Sequence, residues 1–168
     1  MNKWQSGDVQ ANGLRMHYTR TGGTKPPFVL AHGVTDDGLC WTPVAEALAA
    51  DYDVVMVDAR GHGLSEATES GYDPATQAAD LHGVIAALGL RDPLLLGHSM
   101  GAVTTLVLAG LYPDTPRAIL LEDPPAFWSP PPPERQDTQD DRGGPASWFS
   151  ELQRKTRDQL VAEAREQN

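Results

Sequence analysis

Three stretches of the chain are apolar without interruption: Phe28-Val29-Leu30-Ala31, Val54-Val55-Met56-Val57 and Leu94-Leu95-Leu96. Short runs with no polar alternate suit strands buried on both faces, as in a parallel sheet covered by helices on either side. Ala118-Ile119-Leu120-Leu121 is a fourth run of this kind. Leu14, Met16 and Tyr18 instead take every second position, which predicts a half-exposed strand near a sheet edge, ended by the turn at Gly22-Gly23. Between these runs the period changes to that of a helix. Trp41, Val44 and Leu48 recur at helical intervals behind Thr42-Pro43, a cap followed by a first-turn proline. Leu81, Val84, Ile85 and Leu88 follow the i, i+3, i+4, i+7 pattern, with Asp73-Pro74 as the start and Gly89 as the stop. Ala102 to Ala109 is a further helical run. Strand and helix alternate, so the fold class is α/β with a mostly parallel sheet flanked by helices.

The texture shifts after Pro125. Ser129 is followed by four prolines, Pro130 to Pro133, and a polar stretch to Gly144, none of which suits a buried strand or a helix interior. Phe149, Leu152, Leu160 and Ala164, spaced among charges, predict one amphipathic helix between Pro145 and Ala164. The expected organisation is a core over residues 1–126, a proline-rich linker over 127–144 and a helical segment over 145–168.

Charge narrows the partners. A formal net charge of −10 over 168 residues opposes nonspecific attraction to nucleic acid or an anionic membrane, which leaves a small-molecule partner as the expectation. The first residues lack the apolar stretch of a secretory signal, and no apolar run reaches membrane-spanning length, so the expected location is the cytoplasm. Cys40 is the single cysteine, which excludes an intrachain disulfide and a cysteine-based zinc cluster; it is expected to be buried or incidental. No histidine pair has metal-ligand spacing, and no metal site is expected.

The strongest chemical signal is Gly97-His98-Ser99-Met100-Gly101, a G-x-S-x-G motif that directly follows an apolar strand and opens a helix. A serine exposed on so sharp a turn needs neighbours without side chains two residues to either side, where a Cβ would strike backbone. Glycine occupies both places. The helix beginning there aims free N–H groups and the positive end of its dipole at the serine, which favours negative charge developing beside it. The N–H of Met100 is one candidate oxyanion donor. His98, adjacent to the serine on a tight elbow, points elsewhere and is expected to pack or to hydrogen-bond rather than to act as a base. Asp36-Asp37 reads as a turn leading into a helix, with contact to a polar substrate as the alternative, Trp41 as core rather than substrate wall, though either fits, and His17 and His82 as surface or packing residues.

With these motifs in this order, residues 12 to 125 resemble the α/β-hydrolase superfamily, and more narrowly its esterase and haloperoxidase-like members. His32-Gly33-Val34, after the first apolar strand, resembles the family's oxyanion loop. By that resemblance Val34 supplies a second backbone donor, and two such N–H groups stabilise a tetrahedral intermediate by about 3 kcal/mol each. Asp58-Ala59-Arg60-Gly61-His62-Gly63-Leu64-Ser65 is similar to another family signature, to which we assign a structural role, with His32 and His62 fixing loops. The segment after Trp128 resembles the start of a helical cap. The resemblance implies a cofactor-free serine hydrolase acting on carboxylic esters or related acyl compounds through an acyl-enzyme. Serine at position 99 disfavours the dehalogenase and epoxide-hydrolase branches, which require a carboxylate nucleophile.

One part of that machinery has no counterpart. The family's order is serine, acid, histidine, and this sequence has no histidine after His98. Asp123, just past the strand ending at Leu121, is a candidate triad acid; alternatively Glu122 and Asp123 close the strand end before Pro124-Pro125. Truncation of a longer enzyme is the favoured account, against a short protein that lost catalysis or borrows the histidine from another chain. The expectation is impaired activity and association of copies through the open edge at 118–121. A noncatalytic binding module on the same scaffold is the alternative; a dinucleotide-binding site fits poorly, since Gly22-Gly23 precedes the first core strand.

Overall fold

The computed structural model describes residues 4–125 and Gln159. The chain divides into two units, Met1–Ala126 and Phe127–Asn168, and the architecture below is that of the first. The expected linker at 127–144 and helix at 145–168 lie outside the described residues, Gln159 aside.

The described elements run β1 (Gln5–Ala11), β2 (Leu14–Arg20), β3 (Pro27–Ala31), a 3-10 turn (Gly38–Trp41), α1 (Thr42–Leu48), β4 (Asp53–Val57), α2 (Pro74–Ala87), β5 (Leu94–His98), α3 (Met100–Leu111) and β6 (Ala118–Glu122). They form a sheet in the order β1-β2-β4-β3-β5-β6. β4, β3, β5 and β6 pair in parallel, while β1 with β2 and β2 with β4 are antiparallel. All four uninterrupted apolar runs are parallel strands. The alternating segment at Leu14–Tyr18 sits one strand in from the edge, and the edge itself is β1. Gln5–Ala11 is polar at most positions and only Val9 and Ala11 turn inward, so apolar periodicity did not reveal it. Its signal is the turn instead: Asn12 (φ 49) and Gly13 (φ 80) are both left-handed, the two-residue hairpin turn whose twist matches the strands it joins.

Each helix start has a local cause. The Asp73 side chain accepts the Thr76 N–H at 2.9 Å and Pro74 occupies the first turn of α2, whose end passes into Gly89 at φ 64. Pro43 likewise lies in the first turn of α1, but Thr42 is already helical and Trp41 holds the N-cap place; Thr42 instead closes the 3-10 turn, its hydroxyl donating to Leu39 O at 2.7 Å. Asp37 accepts the Leu39 N–H at 2.9 Å and opens the 3-10 turn, the structural role expected of that acidic pair.

Alternate residues of the parallel strands supply two cores. Val29, Val55, Val57 and Leu95 face Leu81, Val84 and Leu108 of α2 and α3. Phe28, Leu30, Val54 and Met56 face Trp41 and Ala45 on the other side. β6 differs, because Leu120 is 46% and Leu121 36% exposed. It ends the described sheet with one neighbour. Among the described residues no helix is long and apolar enough to cross a membrane.

Candidate active site

The carboxyl ends of β3, β4 and β5 carry the three motifs singled out in the sequence, and in an open α/β sheet ligands bind at such ends. β5 passes into α3 through Ser99 alone, which adopts φ 50 and ψ −111. Few side chains tolerate this backbone region, and a non-glycine residue persists there only when its surroundings hold it. Those surroundings are on view. A Cβ on Gly97 would lie 2.1 Å from Gly101 O, and one on Gly101 would lie 2.2 Å from Ala31 O. Both glycines are needed because β5, the first turn of α3 and the end of β3 touch backbone to backbone. The Ser99 N–H donates to Glu122 O at 3.0 Å, and its carbonyl accepts from Ala102 and Val103 at 3.0 and 3.2 Å. The side chain is half-buried, and no described residue hydrogen-bonds its hydroxyl.

His32-Gly33-Val34 crosses beside this elbow. His32 is buried, and its Nε2 accepts the Ala59 N–H at 3.0 Å, so the ring proton lies on Nδ1 and donates to Gly33 O at 2.7 Å. Burial, the largest influence, holds the imidazole below its ordinary value of 6.5 and keeps it neutral in the role of a strut. Gly33 is where the loop meets the elbow: a Cβ there would stand 2.9 Å from His98 Nδ1 and 3.1 Å from Asp36 Oδ2. His98 thus packs over the loop. Neither the Val34 nor the Met100 N–H donates to a described backbone acceptor.

The Asp58 signature ties the loops together. Its carboxylate is buried and accepts the Gly38 N–H at 2.7 Å and the Leu64 N–H at 2.8 Å, joining the segments after β3 and β4. A Cβ on Gly63 would fall 2.1 Å from Asp58 Oδ2. His62 spans the same gap, with Nδ1 2.9 Å from Arg60 O and Nε2 2.9 Å from Val34 O. Beneath them, Arg60 meets Asp80 of α2 through two parallel hydrogen bonds, at 2.5 and 2.7 Å, with both side chains about 95% buried. This buried pair was not read from the sequence, since Arg60 and Asp80 belong to different elements and neither periodicity nor motif connects them.

Between the loops and α3 opens a cleft of about 300 Å³ lined by Val34, His62, Tyr72, Gln77, Met100 and Val103, among others. Val34 and Met100, the latter next to Ser99 in the chain, therefore line one cleft. Asp123 follows β6 one residue beyond the paired His98 and Glu122, exposed, at φ 45. His82 stacks on Tyr112 with ring centroids 3.9 Å apart. Cys40 is exposed rather than buried, and its thiol is pushed up to about 11, first by desolvation of the sulfur and then by Asp36, Asp37 and other carboxylates.

Relatives of known type match this chain in sequence and in fold. An N-formylmaleamate deformylase from Pseudomonas putida is 40% identical over 120 residues, covering 71% of this chain and 45% of its own length. A soluble epoxide hydrolase from a Corynebacterium species is 37% identical over 98 residues, 58% of this chain and 34% of its own. The crystal structure of an N-formylmaleamic acid deformylase from Pseudomonas putida S16 superposes with a TM-score of 0.71 at 33% identity, covering 88% of this chain and 54% of that one. The chain spans about half or less of the length of each. Residues 26–159 match the profile of the alpha/beta hydrolase fold, and on that match the chain belongs to the α/β-hydrolase family.

Proposed function

We propose that this site belongs to a serine hydrolase of acyl compounds, with Ser99 as the nucleophile and the Val34 and Met100 N–H groups as the oxyanion hole. The observation that carries the reading is the backbone of Ser99. A serine kept at φ 50, ψ −111 by two glycines that admit no Cβ is a strained conformation retained where a glycine would be more comfortable. Placed between β5 and the N-terminus of α3, it presents its hydroxyl where donors for a developing oxyanion begin. A cleft shared by Val34 and Met100 supports the same reading. The substrate class is a carboxylic ester or related acyl compound, and the deformylase relatives, named for removal of an acyl group, fit it. The epoxide-hydrolase relatives fit it less well, because ring opening in that branch calls for a carboxylate at the place of Ser99.

The proposal extends to the activity of the chain by itself, which we expect to be weak. A serine hydroxyl needs a base. This sequence holds five histidines. None hydrogen-bonds Ser99: His32 and His62 are engaged by backbone groups, His98 packs over Gly33, His82 stacks on Tyr112, and His17 belongs to the first hairpin. The same observation favours the second reading, a noncatalytic binding module on this scaffold. Treating the purified chain and its Ser99→Ala variant with a fluorophosphonate probe and a short-chain chromogenic ester separates the two. Labelling mapped to Ser99 itself, with slow turnover lost in the variant, is the expected result; a folded chain with an unlabelled Ser99 favours the binding module.

A further inference from the structure

The first hairpin carries another serine, histidine and carboxylate in hydrogen-bonded series. Ser6 and Asp8 lie two residues apart on β1 and so share one face, and His17 of β2 pairs directly with Asp8. His17 Nδ1 stands 2.7 Å from Asp8 Oδ1, and Nε2 stands 2.9 Å from Ser6 Oγ. A carboxylate only accepts, so the Nδ1 proton points at Asp8, and in the neutral form of the ring it is the Nε2 lone pair that faces the Ser6 hydroxyl. The imidazole is oriented from one side and receives a serine O–H on the other, the relation that activates a serine. Its backbone is anchored as well: the His17 N–H donates to Ser65 Oγ at 2.8 Å and its carbonyl accepts the Asp58 N–H at 3.0 Å. Arg15 lies 3.2 Å from the same Asp8 oxygen, and the hydrogen bond from His17, ahead of the charge on Arg15, draws the Asp8 carboxyl below the ordinary carboxylate range.

We infer that Ser6 is a second nucleophile of this protein, with His17 as its base and Asp8 as the group that positions His17, and that it is acylated by activated acyl donors such as aryl esters. As Ser6 Oγ bonds to the acyl carbon, its proton passes to His17 Nε2; the bond from that carbon to the aryl oxygen breaks, and the aryl oxide leaves with the electron pair. His17 then returns its proton to water. The product is an O-acyl serine. Ser6 lies exposed on a strand face and not at a helix N-terminus, so the class is confined to donors whose leaving group departs readily and whose oxyanion needs little stabilisation. The inference is independent of Ser99.

The test uses the full chain and p-nitrophenyl acetate, with peptide mapping by mass spectrometry. Hydroxylamine distinguishes an O-acetyl serine, which it cleaves, from acetylated amines such as Lys3, which it does not. Acetylation of Ser6 is expected to persist in Ser99→Ala, to vanish in Ser6→Ala, and to slow about 100-fold in His17→Gln, the lower end of what a general base contributes. Asp8→Asn, nearly isosteric and gentle on the hairpin, is expected to slow it as well, and so is unfolding the native chain in urea. Acetyl groups found only on amines and Ser99, or a Ser6 rate unchanged by Asp8→Asn and by urea, would overturn the inference.

Discussion

The backbone N–H of Ser99 donates to the carbonyl of Glu122 at 3.0 Å, so the strand-to-helix turn at Ser99 is pinned to the last strand of the described sheet. That strand has one neighbour and shows Leu120 and Leu121 to the exterior. One hydrogen bond therefore ties the elbow to a strand at the edge of the described sheet.

The glycines flanking the elbow should tolerate no Cβ. Gly97→Ala and Gly101→Ala place a methyl group within 2.2 Å of backbone atoms that cannot yield separately from the sheet, and each should cost about 3 kcal/mol or more. Gly110→Ala, on α3 with nothing within 4 Å of the new atom, should instead stabilise by about 0.5–1 kcal/mol. Urea unfolding of the three variants measures both signs in one experiment.

Strain at Ser99 predicts a gain in stability where the proposed chemistry is lost. Ser99→Gly removes the steric conflict at φ 50 without disturbing packing, and its thermal midpoint should rise by the equivalent of about 1 kcal/mol. A midpoint equal to that of Ser99→Ala would show the elbow to be relaxed.

Arg60 and Asp80 form a buried pair whose halves cannot be removed singly. Arg60→Met leaves a carboxylate 3% exposed with Asn12 as its remaining side-chain donor, at 2.8 Å, and should destabilise by about 3–5 kcal/mol. Arg60→Met combined with Asp80→Leu should recover most of that loss, and a double-mutant cycle measures the coupling.

His32 sets a pH dependence. Its folded-state pKa lies below the ordinary 6.5 because the ring is buried. As pH falls through about 6.5 the unfolded chain takes up a proton that the folded chain refuses, so the native state loses stability until the folded pKa is passed. The contribution is present above pH 6.5 and is lost below it. Comparing urea midpoints of the protein and of His32→Gln between pH 7.5 and pH 5 isolates it, and parallel curves would show that His32 takes no part.

The Cys40 thiol should react sluggishly despite its exposure. A rise from 9.0 to about 11 lowers the thiolate fraction near neutral pH roughly 100-fold. Alkylation by iodoacetamide should accelerate by a factor of that order when the chain is unfolded in urea, and equal rates in the two states would rule the effect out.

What the sequence determined by itself is what neighbours along the chain can decide. The apolar runs of β3, β4 and β5 became parallel strands packed on both faces, whereas the run at 118–121 became a parallel strand whose leucines stay exposed. Asp73-Pro74 started a helix because a carboxylate and a proline satisfy its first turn locally. Gly97 and Gly101 announced a backbone contact through residue type alone, and Asn12-Gly13 held the signal for the hairpin that the polar strand Gln5–Ala11 concealed. Only the tertiary structure decided the rest. That Asp58 binds Gly38 and Leu64, that Arg60 meets Asp80, and that Ser6, His17 and Asp8 form a series all depend on strand order, register and crossover. Hydrophobic periodicity reports which face of a segment leaves water, and it carries no record of which polar side chain from a distant segment will lie across from it.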